Sequence, residues 1–132
     1  METDCIVSNF NIVFIQLLNM SLALCNATKN TCIRESDIAK AKSKMEKEPK
    51  YIIQQFVIYG LKYRQIFETN NFAAIDNFNI TNMSIRFGKL DLSMISKYMD
   101  FKKLWKQLDD RDKYELFNIM RQLCNYALKY KT

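Results

Sequence analysis

Residues 5–28 read CIVSNFNIVFIQLLNMSLALCNAT, twenty-four positions with no charged side chain, no glycine and no proline. Projected at 100° per residue, Ser8, Asn9, Gln16, Asn19 and Asn26 gather on one narrow stripe. Ile6, Phe10, Val13, Phe14, Leu17, Leu18, Leu24 and Cys25 fill the rest of the circumference. A helix that is apolar nearly all round, with one uncharged polar stripe, has the pattern of a central helix packed among others. Thr3 or Asp4 is the expected cap.

Two other readings compete for this stretch. As a signal peptide it offers an h-region from Ile12 to Leu24, with Ala23 and Cys25 at −3 and −1 before Asn26. Its n-region carries Glu2 and Asp4 where positive charge belongs. As a membrane anchor it is long enough, but its amides are costly in hydrocarbon without a partner helix to satisfy them. The buried helix is the favoured reading and implies an intracellular protein; the alternatives imply a secreted or anchored one. Three N-glycosylation sequons begin at Asn26, Asn79 and Asn82. In a chain with twelve asparagines they are only a mild excess over chance.

The remaining sequence predicts helices separated by few breaks. With 132 residues, two glycines and one proline, the chain suits one core built from long elements and not a turn-rich β fold. A lysine-rich surface helix is expected over 36–48, capped by Ser36 and ended by Pro49. An amphipathic core helix is expected over 50–69, with Ile52, Phe56, Tyr59, Tyr63, Ile66 and Phe67 on one side. Gly60 lies on that side, where another helix could approach closely. A short helix at 72–77 and a hairpin at 85–92, around Gly88-Lys89, precede the C-terminal helices at 93–108 and 110–130. Asp112-Lys113-Tyr114-Glu115 has a capping-box pattern, and Leu116, Met120, Leu123, Cys124 and Ala127 point to the core. The expected fold is therefore an all-α single domain, 1–132, a helical bundle of about four to six helices with a small hairpin.

Composition excludes more chemistry than it suggests. There is no histidine, so no Ser-His or Cys-His nucleophile, histidine base or histidine-ligated zinc can form. Cys5, Cys25, Cys32 and Cys124 contain no C-x-x-C pair and sit in apolar surroundings, as buried small hydrophobes do. A bridge from Cys25 or Cys32 to Cys124 is expected only in an oxidising compartment. Asp109, Asp110 and Asp112 resemble a hard-cation cluster, but aspartates at a helix start cap free N–H groups and complement the dipole. No catalytic, cofactor-binding or metal site is expected.

Two surfaces remain as binding candidates. Tyr98, Phe101 and Trp105 recur on one helical face and could form a groove for a protein partner or a second copy. Lys97, Lys102, Lys103 and Lys106 form a basic face that could track a phosphate backbone. Lys and Arg number 20 against 14 Asp and Glu, and every cation lies beyond residue 28. Lys40, Lys42, Lys44, Lys47 and Lys50 are interleaved with Glu46 and Glu48 and read as a solvated face. The sequence points first to a non-enzymatic interaction or structural subunit. Its rivals are a secreted four-helix ligand comprising residues 26–132 and a basic nucleic-acid-binding accessory protein. A membrane enters only if 5–28 is an anchor. The bias toward Asn, Lys, Ile and Tyr is that of an AT-rich genome, such as a large DNA virus.

Overall fold

The uncharged stretch forms α1 (Glu2–Thr28), the longest helix in the structure. The computed structural model describes residues 2–31, 33–77 and 101–132, and all regular structure among them is helical. After α1 come α2 (Glu35–Lys47), α3 (Tyr51–Tyr59), a 3-10 turn (Leu61–Tyr63), α4 (Arg64–Glu68), α5 (Phe72–Asp76), α6 (helical over 101–107) and α7 (Asp110–Lys131). The chain is all-α. The expected hairpin at 85–92 and the first part of the 93–108 helix lie outside the described residues.

Glu2 and Asp4 occupy the first turn of α1, where negative charge complements the helix dipole. Thr3 and Asp4 therefore lie inside the helix and do not cap it. At its other end Lys29 takes a left-handed φ of 57°, and Asn30 N–H donates to Cys25 O at 2.8 Å. Such a helix stop normally uses glycine, because a Cβ makes the conformation costly.

Asp109 caps α7, its Oδ1 accepting from Asp112 N–H at 2.9 Å. The helix therefore starts where expected, near Asp109, with Asp109 and not Asp112 as its cap. Lys129 and Lys131 complement the last turn.

Packing of α1 against α7 is the most extensive in the structure. The amino-terminal half of α1 supplies Val7, Phe10 and Val13 to one core cluster, together with Ile53, Leu123 and Ala127. Its carboxy-terminal end contributes Cys25 to a second, with Phe67, Leu104, Trp105, Leu108, Leu116, Phe117 and Cys124. The two helices thus run antiparallel. Leu17, Phe56, Leu61 and Met120 touch both clusters and join them into a continuous interior.

The stretch expected as one helix over 50–69 is broken. It ends at Tyr59, passes through the 3-10 turn and restarts at Arg64. Glycine is a poor helix residue, and Gly60 stands at the break. The room at Gly60 is taken by the chain's own Phe56 and not by another helix: a Cβ there would lie 3.0 Å from the Phe56 ring and from Phe56 O. That ring packs edge-on against Phe10 at 5.5 Å, which fastens α3 to α1.

The cap of α2 also differs from expectation. Arg34, not Ser36, occupies the cap position, and its backbone N–H donates to Asp37 Oδ2 at 2.9 Å. Pro49 lies in the turn before α3, and its carbonyl accepts from Asn11 Nδ2 at 3.0 Å. Lys44 pairs with Glu48 and lies over the Tyr51 ring at 4.2 Å, closing the same turn. Lys44 therefore has definite partners, whereas Lys40, Lys42, Lys47 and Lys50 are exposed.

Candidate interaction surfaces

Trp105 and Leu104 project from α6 into the space between α1, α4 and α7. Trp105 stacks on Phe117 at 5.6 Å, and Phe72 meets both rings edge-on at 5.9 and 5.0 Å. Phe67 adds a further edge contact to Phe117 at 5.1 Å. Edge-to-face and offset packing is the favourable arrangement for such rings, and it fixes α4 and α5 against α7. Lys113 Nζ lies 5.0 Å from the Trp105 ring centre.

Beside this aromatic cluster is an apolar cavity of about 490 Å³, lined by Leu17, Leu18, Ser21, Ile33, Phe67, Ile75, Phe101, Leu104, Trp105, Leu116, Phe117 and Met120. Ser21 is the only polar side chain among them. Trp105 is 2% exposed, and its Nε1–H is buried without an acceptor among the described residues. Such donors are uncommon in native interiors, because the lost hydration costs about 1–3 kcal/mol.

The expected groove of Tyr98, Phe101 and Trp105 is thus corrected in part. Trp105 is a wall of the interior and not a surface residue, while Phe101 is 37% exposed and reaches the same cavity. Tyr98 lies outside the described residues.

Phe117 and Phe72 were not expected to matter here. Phe117 follows Leu116 directly, so helical spacing alone did not single it out. Its ring contacts come from Phe67 and Phe72, far away in sequence, and from Trp105 on the preceding helix.

One polar tie holds the cavity wall in place. Arg121 Nη1 donates to Phe67 O at 2.7 Å and to Asn70 Oδ1 at 2.6 Å. Asn70 has a left-handed φ of 51°, a conformation that Asn tolerates better than most residues. The arginine therefore links α7 to the end of α4 and to the turn that leads into α5.

A second concavity, about 880 Å³, opens between α1 and the α2–α3 turn. Asp4, Val7, Ser8, Asn11, Ile12, Ile15 and Gln16 form one side, and Met45, Glu48, Pro49, Lys50, Tyr51 and Gln54 the other. Ile12 and Tyr51 are 54% and 40% exposed. Asn11 donates an amide N–H to Pro49 O, and its Oδ1 is buried with no donor among the described residues. The sequence signal for this groove is the uncharged stripe of α1, of which Ser8 and Gln16 line it.

The chain matches no protein-family model, no curated protein and no solved structure.

The remaining candidates are placed as follows. Lys103 and Lys106 are exposed and Lys102 half-buried, on the side of α6 away from Leu104 and Trp105. Lys97 lies outside the described residues. Asp109 and Asp112 are committed to the cap of α7. Burial, followed by repulsion from Asp109 and Glu115, holds the Asp112 carboxyl above its ordinary range.

Cys5 is exposed, Cys25 and Cys124 are buried, and Cys32 is outside the described residues. Burial, with a smaller contribution from Glu68, pushes the Cys124 thiol up to about 11. At neutral pH it is therefore fully protonated and a poor nucleophile. Of the three sequon asparagines, Asn26 is exposed and the other two lie outside the described residues.

Proposed function

We propose that this protein is a non-enzymatic interaction subunit of the helical-bundle type that receives an apolar side chain of a protein partner in the cavity beside Phe101 and Trp105. The observation that carries this reading is the cavity of about 490 Å³, apolar but for Ser21, with the 37% exposed Phe101 and the Trp105 ring in its wall. A partner segment would bring an aliphatic or aromatic anchor for the cavity. Pockets lined mainly by apolar and aromatic side chains hold such groups by contact area. Tryptophan is also among the residues that most often dominate binding energy.

The core supports the view that α1 is an integral helix of the working protein. A chain beginning at Asn26 would lack Val7, Phe10 and Val13 and would leave Ile53, Leu123 and Ala127 facing water. That outcome weighs against the secreted-ligand reading. The shared side of Lys102, Lys103 and Lys106 supports a weaker, second reading as a nucleic-acid accessory. Its test is a salt series, since phosphate-driven binding must weaken steeply as salt rises.

The primary reading is tested with a displayed random-peptide library selected on the full chain and counter-selected on Phe101→Ala. Enriched peptides should share an apolar anchor. Because the chain has one tryptophan, its indole N–H gives one resonance in a 15N-correlated spectrum. Bound peptide should shift that resonance, because Trp105 lines the cavity. Failure to enrich any peptide, or enrichment without a change at Trp105, overturns the proposal.

A further inference from the structure

A second surface implies a partner of its own. The outward face of α1 runs through Ser8, Ile12, Gln16, Asn19 and Ala23, all exposed, and carries no charge over the whole of 5–28. By contrast, the exposed face of α2 bears Lys40, Lys42 and Glu46, and that of α7 bears Arg111, Glu115 and Lys129. The most apolar eighteen residues of α1 have a mean hydropathy of 1.5, yet only 17% of them are buried within the fold. The helix is more apolar than its own chain covers.

We propose that this face pairs with α1 of a second copy of the chain, antiparallel, about a two-fold axis near Gln16. The spacing of the face is nearly palindromic: Ser8 and Ala23, then Ile12 and Asn19, stand at matching distances on either side of the centre. In an antiparallel pair small residues meet small residues toward the ends, and the two Gln16 amides meet at the axis, where each can donate and accept.

The charges bounding the stretch fix the direction. Glu2 and Asp4 precede it and Lys29 follows it, all exposed. Antiparallel pairing brings the acids of each copy to the lysine of the other and opposes the helix dipoles. Parallel pairing would stack like charges at both ends.

The groove beside α1 completes the arrangement. Residues 16–28 of the partner helix would lie over residues 4–16, the stretch that forms one side of the 880 Å³ groove, with Pro49 and Tyr51 flanking them. Asn11 lines that groove and ties its two sides together through Pro49 O. Symmetry fills both grooves at once.

The helical strip is about 36 Å long. Alone it is small for a stable dimer, and the groove walls bring it toward the ordinary interface range. A dimer that forms at about micromolar concentration is therefore expected.

A membrane surface is a poorer occupant. A helix lying on lipid needs a charged, preferably cationic, polar face, and this one carries amides and two acids.

The pairing uses a surface separate from the Trp105 cavity, so either proposal can fail without the other. Sedimentation velocity on the full chain, from about 1 to 200 µM, should show a reversible monomer–dimer equilibrium. Ala23→Lys adds a charge at an exposed position and should weaken it at least about tenfold, with an unchanged circular dichroism spectrum. The pair Glu2→Lys, Asp4→Lys should also weaken it, and adding Lys29→Glu should restore it to within about twofold. A monomer at every concentration, a dimer indifferent to Ala23→Lys, or a charge reversal without rescue overturns the proposal. So does flotation of the wild-type chain with phosphatidylcholine vesicles, which would assign the face to lipid.

Discussion

Replacing Arg121 by Met should unfasten the end of α4 while leaving the helical interior filled. The substitution keeps most of the aliphatic stem that packs along α7 and removes only the guanidinium. Two hydrogen bonds from a charged donor disappear, to Phe67 O at 2.7 Å and to Asn70 Oδ1 at 2.6 Å. Each such bond contributes about 1.5–3 kcal/mol when isolated. Both come from one nitrogen in a half-buried setting, so the combined loss should be about 2–3 kcal/mol.

Asn70→Gly tests the same link from the other side. Glycine relieves the left-handed backbone by up to about 1 kcal/mol and forfeits one bond, so it should be nearly neutral alone. In combination the two losses overlap, and a double-mutant cycle should return a coupling of about 1 kcal/mol. Urea denaturation followed by Trp105 emission gives each free energy, since Phe67 and Trp105 belong to one cluster. A loss below about 0.5 kcal/mol for Arg121→Met, or additive effects, would refute the view that this arginine holds the cavity wall.

Three further outcomes are expected. Gly60→Ala places a Cβ 3.0 Å from the Phe56 ring and should displace it from Phe10, costing about 1 kcal/mol in chemical denaturation despite alanine's better helix propensity. Lys29→Gly relieves the positive φ that ends α1 and should raise stability by about 0.5–1 kcal/mol in a dilute sample, read as a higher thermal midpoint. The folded chain holds the Cys124 proton up to about pH 11, whereas the unfolded thiol releases it near its ordinary value of 9.0. Stability from this group is thus present below about pH 9 and lost between 9 and 11, by roughly 2–3 kcal/mol. Urea midpoints at pH 7.5, 9 and 10.5 should show that slope in the wild type and a reduced one in Cys124→Ala.

The long helices were legible because their signals are local and repeated. The absence of any breaker from Cys5 to Thr28 predicted α1, and the stripe Ser8, Gln16, Asn19 and Asn26 is the exposed side. Asn9 is half-buried and Ile12 takes its place in the stripe, because polarity marks a face only approximately when no charge anchors it. On α7 the expected Leu116, Leu123, Cys124 and Ala127 are all buried, with Met120 half-buried.

The broken helix was not legible. The apolar spacing continues across Gly60, and only the position of the Phe56 ring reveals why the backbone changes there. Arg121 carries no signal in the sequence, because its partners, Phe67 O and Asn70 Oδ1, meet it only once α7 packs beside α4. Trp105 was identified as an interface candidate, but helical periodicity cannot distinguish a face covered by this chain from one left for another. Its depth depends on α4, α5 and α7 arriving around it.

The antiparallel pairing of α1 with α7 has a consequence for synthesis. Phe10 is covered by residues such as Leu123 that are translated more than a hundred positions later. At roughly 10 residues per second, this long uncharged helix leaves the ribosome about ten seconds before its main packing partner exists. Contacts this distant in sequence also form late in folding, after a large loop has closed. The helix made first is therefore the one completed last. During that interval it presents a bare apolar cylinder to any factor that captures nascent hydrophobic segments, so its fate is decided by a race between capture and the arrival of the chain's own end.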